Sequence, residues 1–147
     1  VDPVALTTLD HVQDLGLKEA SSADLTVDEA AFILAGGAGV TDWPLFRRAA
    51  DLLGAAAGAS RVVVDAGLMP RERQIGASGA TACADLYVAL GISGAVQHLE
   101  GVAGCRRVIS VNLDPYCAMA ARADLAIQAD SHAVLEALLK QLQERGR

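Results

Sequence analysis

The amino-acid sequence predicts an α/β fold, an open parallel sheet of about five or six strands with helices on both faces. Short apolar runs recur along the chain, each continuous rather than alternating, as in strands covered on both sides. Helical stretches separate them, giving a strand–loop–helix rhythm. Hydrophobic residues make up 52% of the 147 positions and aromatics only 3%, so the core is aliphatic, with 14 glycines letting backbones approach closely. The length fits one domain.

The first 28 residues lack a long period apart from VALTTL at 4–9. They carry Asp2, Asp10, Asp14, Glu19, Asp24 and Asp28 against Lys18 alone. With Glu29, the whole net charge of -6 falls in the first 35 positions. Residues 1–28 therefore read as an acidic peripheral arm or linker remnant and 29–147 as the α/β domain.

From Ala31 the periodic texture begins. AFILAGG (31–37) is a strand ending in glycines. TDWPLFRRAADLLGAA (41–56) is a helix, with Thr41 or Asp42 as cap, Pro44 early, and Leu45, Ala49, Leu52 and Leu53 near one face. In the next stretch, VVV (62–64) is strand-like by β-branching, yet AAAGAS (55–60) serves as the strand if burial overrules propensity, with 61–66 opening a helix. The two readings balance. DLYVALG (85–91), CRRVISVN (105–112) and ADLAIQAD (123–130) are further strands buried on both faces. Helices are expected at 93–101, with Ser93 as cap and His98 in the second turn, and at 131–145, where Val134, Leu135, Leu138, Leu139 and Leu142 form one stripe.

Composition excludes several function classes. An acidic chain makes no long electrostatic contact with nucleic acid, though an anionic cofactor can still be held locally. No run approaches the roughly 18 apolar residues of a membrane span, so no membrane insertion is expected. Cys83, Cys105 and Cys117 form no CxxC pair, and reduced thiols in a cytoplasmic compartment are the simpler reading. The chain begins at Val1 and reads as a processed or excised piece. There is no G-x-S-x-G elbow, no HExxH and no GxxxxGK[ST], and His11, His98 and His132 are too scattered for a metal set.

Ligands of open parallel sheets bind beyond the carboxyl ends of the strands. Three small-residue segments belong there. Gly36-Gly37-Ala38-Gly39 is a tight turn or a phosphate cradle without the GxGxxG spacing. Gln74-Ile75-Gly76-Ala77-Ser78-Gly79-Ala80-Thr81 is a glycine-spaced loop whose Gln, Ser and Thr carry amide and hydroxyl groups suited to a planar ring or phosphate. Gly91-Ile92-Ser93-Gly94-Ala95-Val96-Gln97-His98 joins a strand end to a helix. Asn112, Asp114 and Asp130 follow apolar runs, where such residues also close turns or cap helices. Arg61 follows a small-residue run and supplies fixed positive charge if a cofactor lies beside it.

In shared order and spacing, LGAAAGASRVVVDAG (53–67), RQIGASG (73–79), LYVALGISGAVQHLEG (86–101), VNLDP (111–115) and ADLAIQAD (123–130) resemble the carboxy-terminal FAD-binding domain of the electron transfer flavoprotein alpha subunit. The resemblance implies a Rossmann-like domain that holds FAD in an extended pose. It implies electron transfer between a dehydrogenase and an acceptor, carrier work rather than substrate conversion, together with a beta-type subunit. Ser60 and Arg61 then approach the flavin, and Gln74, Ile75, Gly76, Ala77 and Ser78 line its ring and ribityl region. Gly91, Ser93, Gly94, Ala95, Gln97 and His98 serve the pyrophosphate and the pyrimidine side of the ring. Asn112, Asp114 and Asp130 hold the adenosine half. The same resemblance favours the strand before Ser60. The chain departs from the family pattern at Ala38, where an arginine is usual, at Ala77, where an amide or acid is usual, and at Cys117-Ala118-Met119-Ala120. The alternative is a non-redox module that binds NAD or AMP, or a structural piece of an assembly.

Overall fold

The computed structural model describes residues 25–145. The expected acidic arm falls outside the described residues except at its end, where Val27 already packs into the core beside Ala30 and Ile33. Ten elements alternate along the chain. They are β1 (Phe32–Gly36), α1 (Trp43–Leu53), β2 (Ala56–Ala59), α2 (Arg61–Asp65), β3 (Leu86–Leu90), α3 (Val96–Gly101), β4 (Val108–Asn112), α4 (Ala118–Arg122), β5 (Leu125–Gln128) and α5 (Ser131–Arg145), with a 3-10 turn at Arg71–Arg73.

The five strands form one sheet in the order β2-β1-β3-β4-β5, every neighbour parallel. Ile33 pairs with Ala56 on one side and Tyr87 on the other, and Val88 pairs with Ile109. Side-chain alternation along the strands feeds two separate cores. Ile33, Ala35, Tyr87, Ala89 and Val108 face one layer, with Val102 and Met119 from the α3 and α4 side. Leu34, Leu90 and Val111 face the other, with Phe46 and Ala50 of α1, Val63 of α2, and Leu135 and Leu139 of α5. The expected doubly wound sheet is present.

Helix α1 starts where the sequence offered two caps, and Asp42 takes the role: its Oδ1 accepts a 2.8 Å hydrogen bond from the Leu45 amide. Gly54 closes the helix in the left-handed conformation, φ 63°.

The balanced alternatives at 55–66 resolve in favour of the small-residue strand. Ala56–Ala59 pairs with β1, and a Cβ on Gly58 would meet Ile75 Cδ1 at 2.5 Å. With no side chain at 58, Ile75 settles against the strand without shifting, so close packing overrides strand propensity. The VVV strand reading is corrected: 61–65 is a helix that buries Val63 and leaves Val62 65% exposed.

Two further expectations are corrected. Helix α3 begins at Val96 behind Ala95, not at Ser93, because Gly94 turns the chain at φ 85°. Ser93 is thus no cap, its carbonyl accepts from the Met119 amide instead, and His98 lies in the first turn. Strand β5 forms where expected, but the expectation of burial on both faces is corrected: all four of its residues are exposed at one edge of the sheet, whereas β2 at the other edge is largely buried.

Candidate functional site

Strand order reverses between β1 and β3: from β1 the chain crosses to β2, and it re-enters the sheet on the opposite side of β1. Crossovers on the two sides leave a crevice above the carboxyl ends, the usual ligand position in such sheets. A cavity of about 550 Å³ lies there, within the range of small-molecule sites.

Glycine packing shapes its back wall. Gly37 donates to the Leu90 carbonyl at 2.9 Å and Gly39 to the Gly91 carbonyl at 3.1 Å, tying the turn after β1 to the end of β3. Gly91 adopts φ 60°, and a Cβ there would reach Gly39 Cα at 2.5 Å. Neither the dihedral nor the distance admits a side chain. The turn after β1 is therefore chiefly a packing device, with Ala38 and Gly39 also reaching the cavity.

The 74–78 loop forms a second wall. It is held by Ile75 donating to the Ala59 carbonyl at 2.9 Å and by Ala77 donating to the Gln97 carbonyl at 2.8 Å. Gln74 is 1% exposed. Its Nε2 donates to Ser78 Oγ at 2.9 Å, while its Oε1 is buried without a hydrogen-bond partner.

His98 is 6% exposed, and its Nε2 lies 2.7 Å from the hydroxyl of Tyr87 on β3. Burial lowers its pKa from 6.5 to about 4, opposed in part by the nearby Ile75 carbonyl, so the imidazole is neutral near pH 7. Its Nδ1 is buried and unpartnered. Burial likewise pushes the Tyr87 hydroxyl well above its ordinary range and keeps it protonated. Buried polar atoms are rarely left unpaired, and two such atoms belong to residues that line this one cavity.

The charged residues lining the cavity are Arg61 and Asp65, one helical turn apart, with Nε and Oδ2 3.3 Å from each other. Both side chains are largely exposed, so the pair remains solvated and adjustable. Asn112 donates to the Ile92 carbonyl at 3.1 Å and stands at the far end.

The cavity brings together Ser60, Arg61, Gln74, Ile75, Gly76, Ala77, Ser78, Gly91, Ser93, Gly94, Ala95, Gln97, His98 and Asn112. Asp114 and Asp130 do not line it. Asp114 accepts from the Tyr116 amide at 2.9 Å in a turn, and Asp130 accepts from the Ala133 amide at 3.0 Å at the start of α5. Sequence reasoning missed Val62 and Asp65, and it placed Ile92 in the third segment without giving it a role. The four-residue step from Arg61 to Asp65 identifies that pair only once 61–65 is known to be a helix.

Among the described residues no helix is long and apolar enough to cross a membrane, and no group of three or more His, Cys, Asp or Glu is placed to hold a metal.

The family model of the electron transfer flavoprotein FAD-binding domain matches residues 26–103, which include every cavity residue except Asn112. The chain is 53% identical over 133 residues to the electron transfer flavoprotein subunit alpha of Chromohalobacter salexigens, covering 90% of this chain and 32% of that protein. It is 39% identical over 145 residues to the same subunit of Bacillus subtilis, covering 96% and 44%. It is 36% identical over 134 residues to the mitochondrial subunit alpha of Oryza sativa subsp. indica, covering 89% and 37%. The chain thus spans less than half the length of these relatives. With its doubly wound sheet and a cavity at the strand reversal, the chain belongs to the electron transfer flavoprotein family, as an alpha-subunit FAD-binding domain.

Proposed function

We propose that the cavity holds the flavin end of FAD and that the chain serves electron transfer as part of an alpha-type subunit. The observation that carries this reading is the pair of unpartnered buried atoms, Gln74 Oε1 and His98 Nδ1, in a cavity at the strand reversal. A flat, heteroatom-rich ring supplies donors and acceptors to match them, and the glycine-walled crevice suits a slender ligand. FAD supplies the redox chemistry, taking up and releasing one or two electrons at its ring.

The chain's own residues bind and tune. Gln74 and His98 orient the ring, and Arg61 offsets negative charge that develops upon it. Ser60, Ser78 and Ser93 line the same cavity and would supply hydroxyls to the ribityl chain and phosphates. Asn112 passes the ligand toward the carboxyl ends of β4 and β5, where Asp114 and Asp130 meet the adenosine half. A beta-type subunit and a dehydrogenase are the partners, in the cytoplasm.

The test is titration of FAD into the ligand-free chain, followed by quenching of flavin fluorescence. Saturable binding is expected, with a Kd of about micromolar or weaker. Ala38 and Ala77 each withdraw a contact, and the Arg61 rim is open to water. Saturable binding of AMP or NAD with no uptake of FAD would replace this reading with a non-redox nucleotide module.

A further inference from the structure

Tyr87 is fully buried on β3, and none of the cofactor roles above includes it. Its hydroxyl and His98 Nε2 are 2.7 Å apart, with ring centroids 6.2 Å apart and planes tilted by 52°. This is a hydrogen bond rather than a stack. In a neutral imidazole one nitrogen carries the proton and the other accepts, so the direction of this bond decides what Nδ1 offers.

Two arrangements satisfy the distance. In the first, His98 Nε2 donates to the Tyr87 oxygen. The hydroxyl proton then has no acceptor, since Tyr87 makes no second hydrogen bond among the described residues, and Nδ1 is left as a bare lone pair. The Ile75 backbone acts to raise the His98 pKa, as a nearby hydrogen-bond acceptor does, and so favours a protonated ring nitrogen over a bare lone pair. In the second, Tyr87 donates to Nε2 and the proton sits on Nδ1. That leaves one orphan rather than two, and it is an N–H, which the nearby carbonyl tolerates.

We propose that Tyr87 is a positioning residue: its hydroxyl donates to His98 Nε2, fixes the Nδ1–H tautomer, and makes His98 a hydrogen-bond donor toward the cofactor ring. A carbonyl oxygen of the flavin is the matching acceptor, and the bond strengthens as the ring gains negative charge. The inference rests on FAD as the ligand, yet the tautomer exists before any ligand arrives and is measured without it.

The experiment is nitrogen NMR on the full 147-residue chain, ligand-free and labelled at histidine, with the His98 signals assigned by their loss in His98→Gln. The expected result is a pyrrole-type signal for Nδ1 and a pyridine-type signal for Nε2, converting to a mixture of tautomers in Tyr87→Phe. A pyrrole-type Nε2 in the wild type, or an unchanged pattern in Tyr87→Phe, overturns the proposal. FAD titration then asks whether Tyr87 acts through His98. Tyr87→Phe is expected to bind about five- to tenfold more weakly, and the double variant with His98→Gln no more weakly than His98→Gln alone. Additive losses in that cycle overturn the coupling. A chain with the expected tautomer that takes up no FAD overturns the cofactor reading and the role of the donor, while the tautomer assignment stands. Should Tyr87→Phe fail to fold, the wild-type signals decide alone.

Discussion

The floor and the rim of the same cavity are built on opposite physical terms. On the floor, Gln74 and His98, with Tyr87 behind His98, are closed off from water, and their polar atoms are held by buried hydrogen bonds. On the rim, Arg61 and Asp65 carry the charge, with side chains 70% and 58% exposed. Buried neutral donors and acceptors discriminate by position, since an unmatched group there costs about 1–3 kcal/mol. Solvated charges act at longer range, adjust readily and are screened by salt. On the proposed function, the floor selects the ligand and the rim sets the electrostatic potential it experiences.

Filling the glycine wall behind the floor has the largest expected effect. Gly91→Val forces a β-branched residue to φ 60° and drives its Cβ into Gly39. Strain of about 1–2 kcal/mol and overpacking of about 1–3 kcal/mol add, so a loss of roughly 3 kcal/mol in urea unfolding is expected, with FAD uptake abolished. A variant of wild-type stability would show that the β1 turn yields easily and that the wall is not rigid.

Acid reaches the floor through His98. His98 has a folded-state pKa of about 4 against 6.5 for an ordinary histidine, so the unfolded chain binds more protons than the folded one between these values. Stability contributed by keeping His98 neutral is fully present above pH 6.5 and is lost progressively as pH falls to about 4. The span corresponds to at most about 3 kcal/mol. His98→Gln should remove this part of the pH dependence. The measurement is the difference in unfolding free energy between wild type and variant across that range, and parallel curves would assign the acid sensitivity to other groups.

How legible the molecule was in its sequence follows the same division. Strands β1, β3 and β4 announced themselves as continuous apolar runs, because each is sandwiched between helices. β5 announced itself too, yet its residues are exposed: a run of LAIQ records a strand without recording what covers it. β2 was ambiguous since AAGA has poor propensity and is specified by tertiary packing, with Ala56 and Ala59 buried and Ile75 seated over Gly58. The cavity loops were legible as glycine and small-polar clusters. Asp65 was not, because it depends on a helix that VVV disguised, and Tyr87 was hidden inside a run that read simply as core.

The rim provides the last and gentlest perturbation. With FAD bound, Arg61→Ala removes a cation from the cavity edge and leaves Asp65 without its ion-pair partner. Both consequences disfavour added negative charge on the ring, so the first reduction potential should fall. Coulomb attraction at an effective dielectric near 20 gives a few kcal/mol at contact distances, and solvation of an exposed side chain reduces this to about 1 kcal/mol, or about 40 mV for one electron. Asp65→Asn should move the potential the opposite way by less, since Arg61 remains to bind water and counterions. The double variant separates loss of the cation from unmasking of the carboxylate, and its potential should lie between those of the two single variants. High salt should shrink all three differences, whereas any shift produced by the buried floor should persist. The check is dye-coupled reductive titration of each FAD-loaded protein at low and high salt. An unchanged potential in Arg61→Ala with FAD retained would reduce the Arg61–Asp65 pair to a helix-surface ion pair and place all control of the ring on the floor.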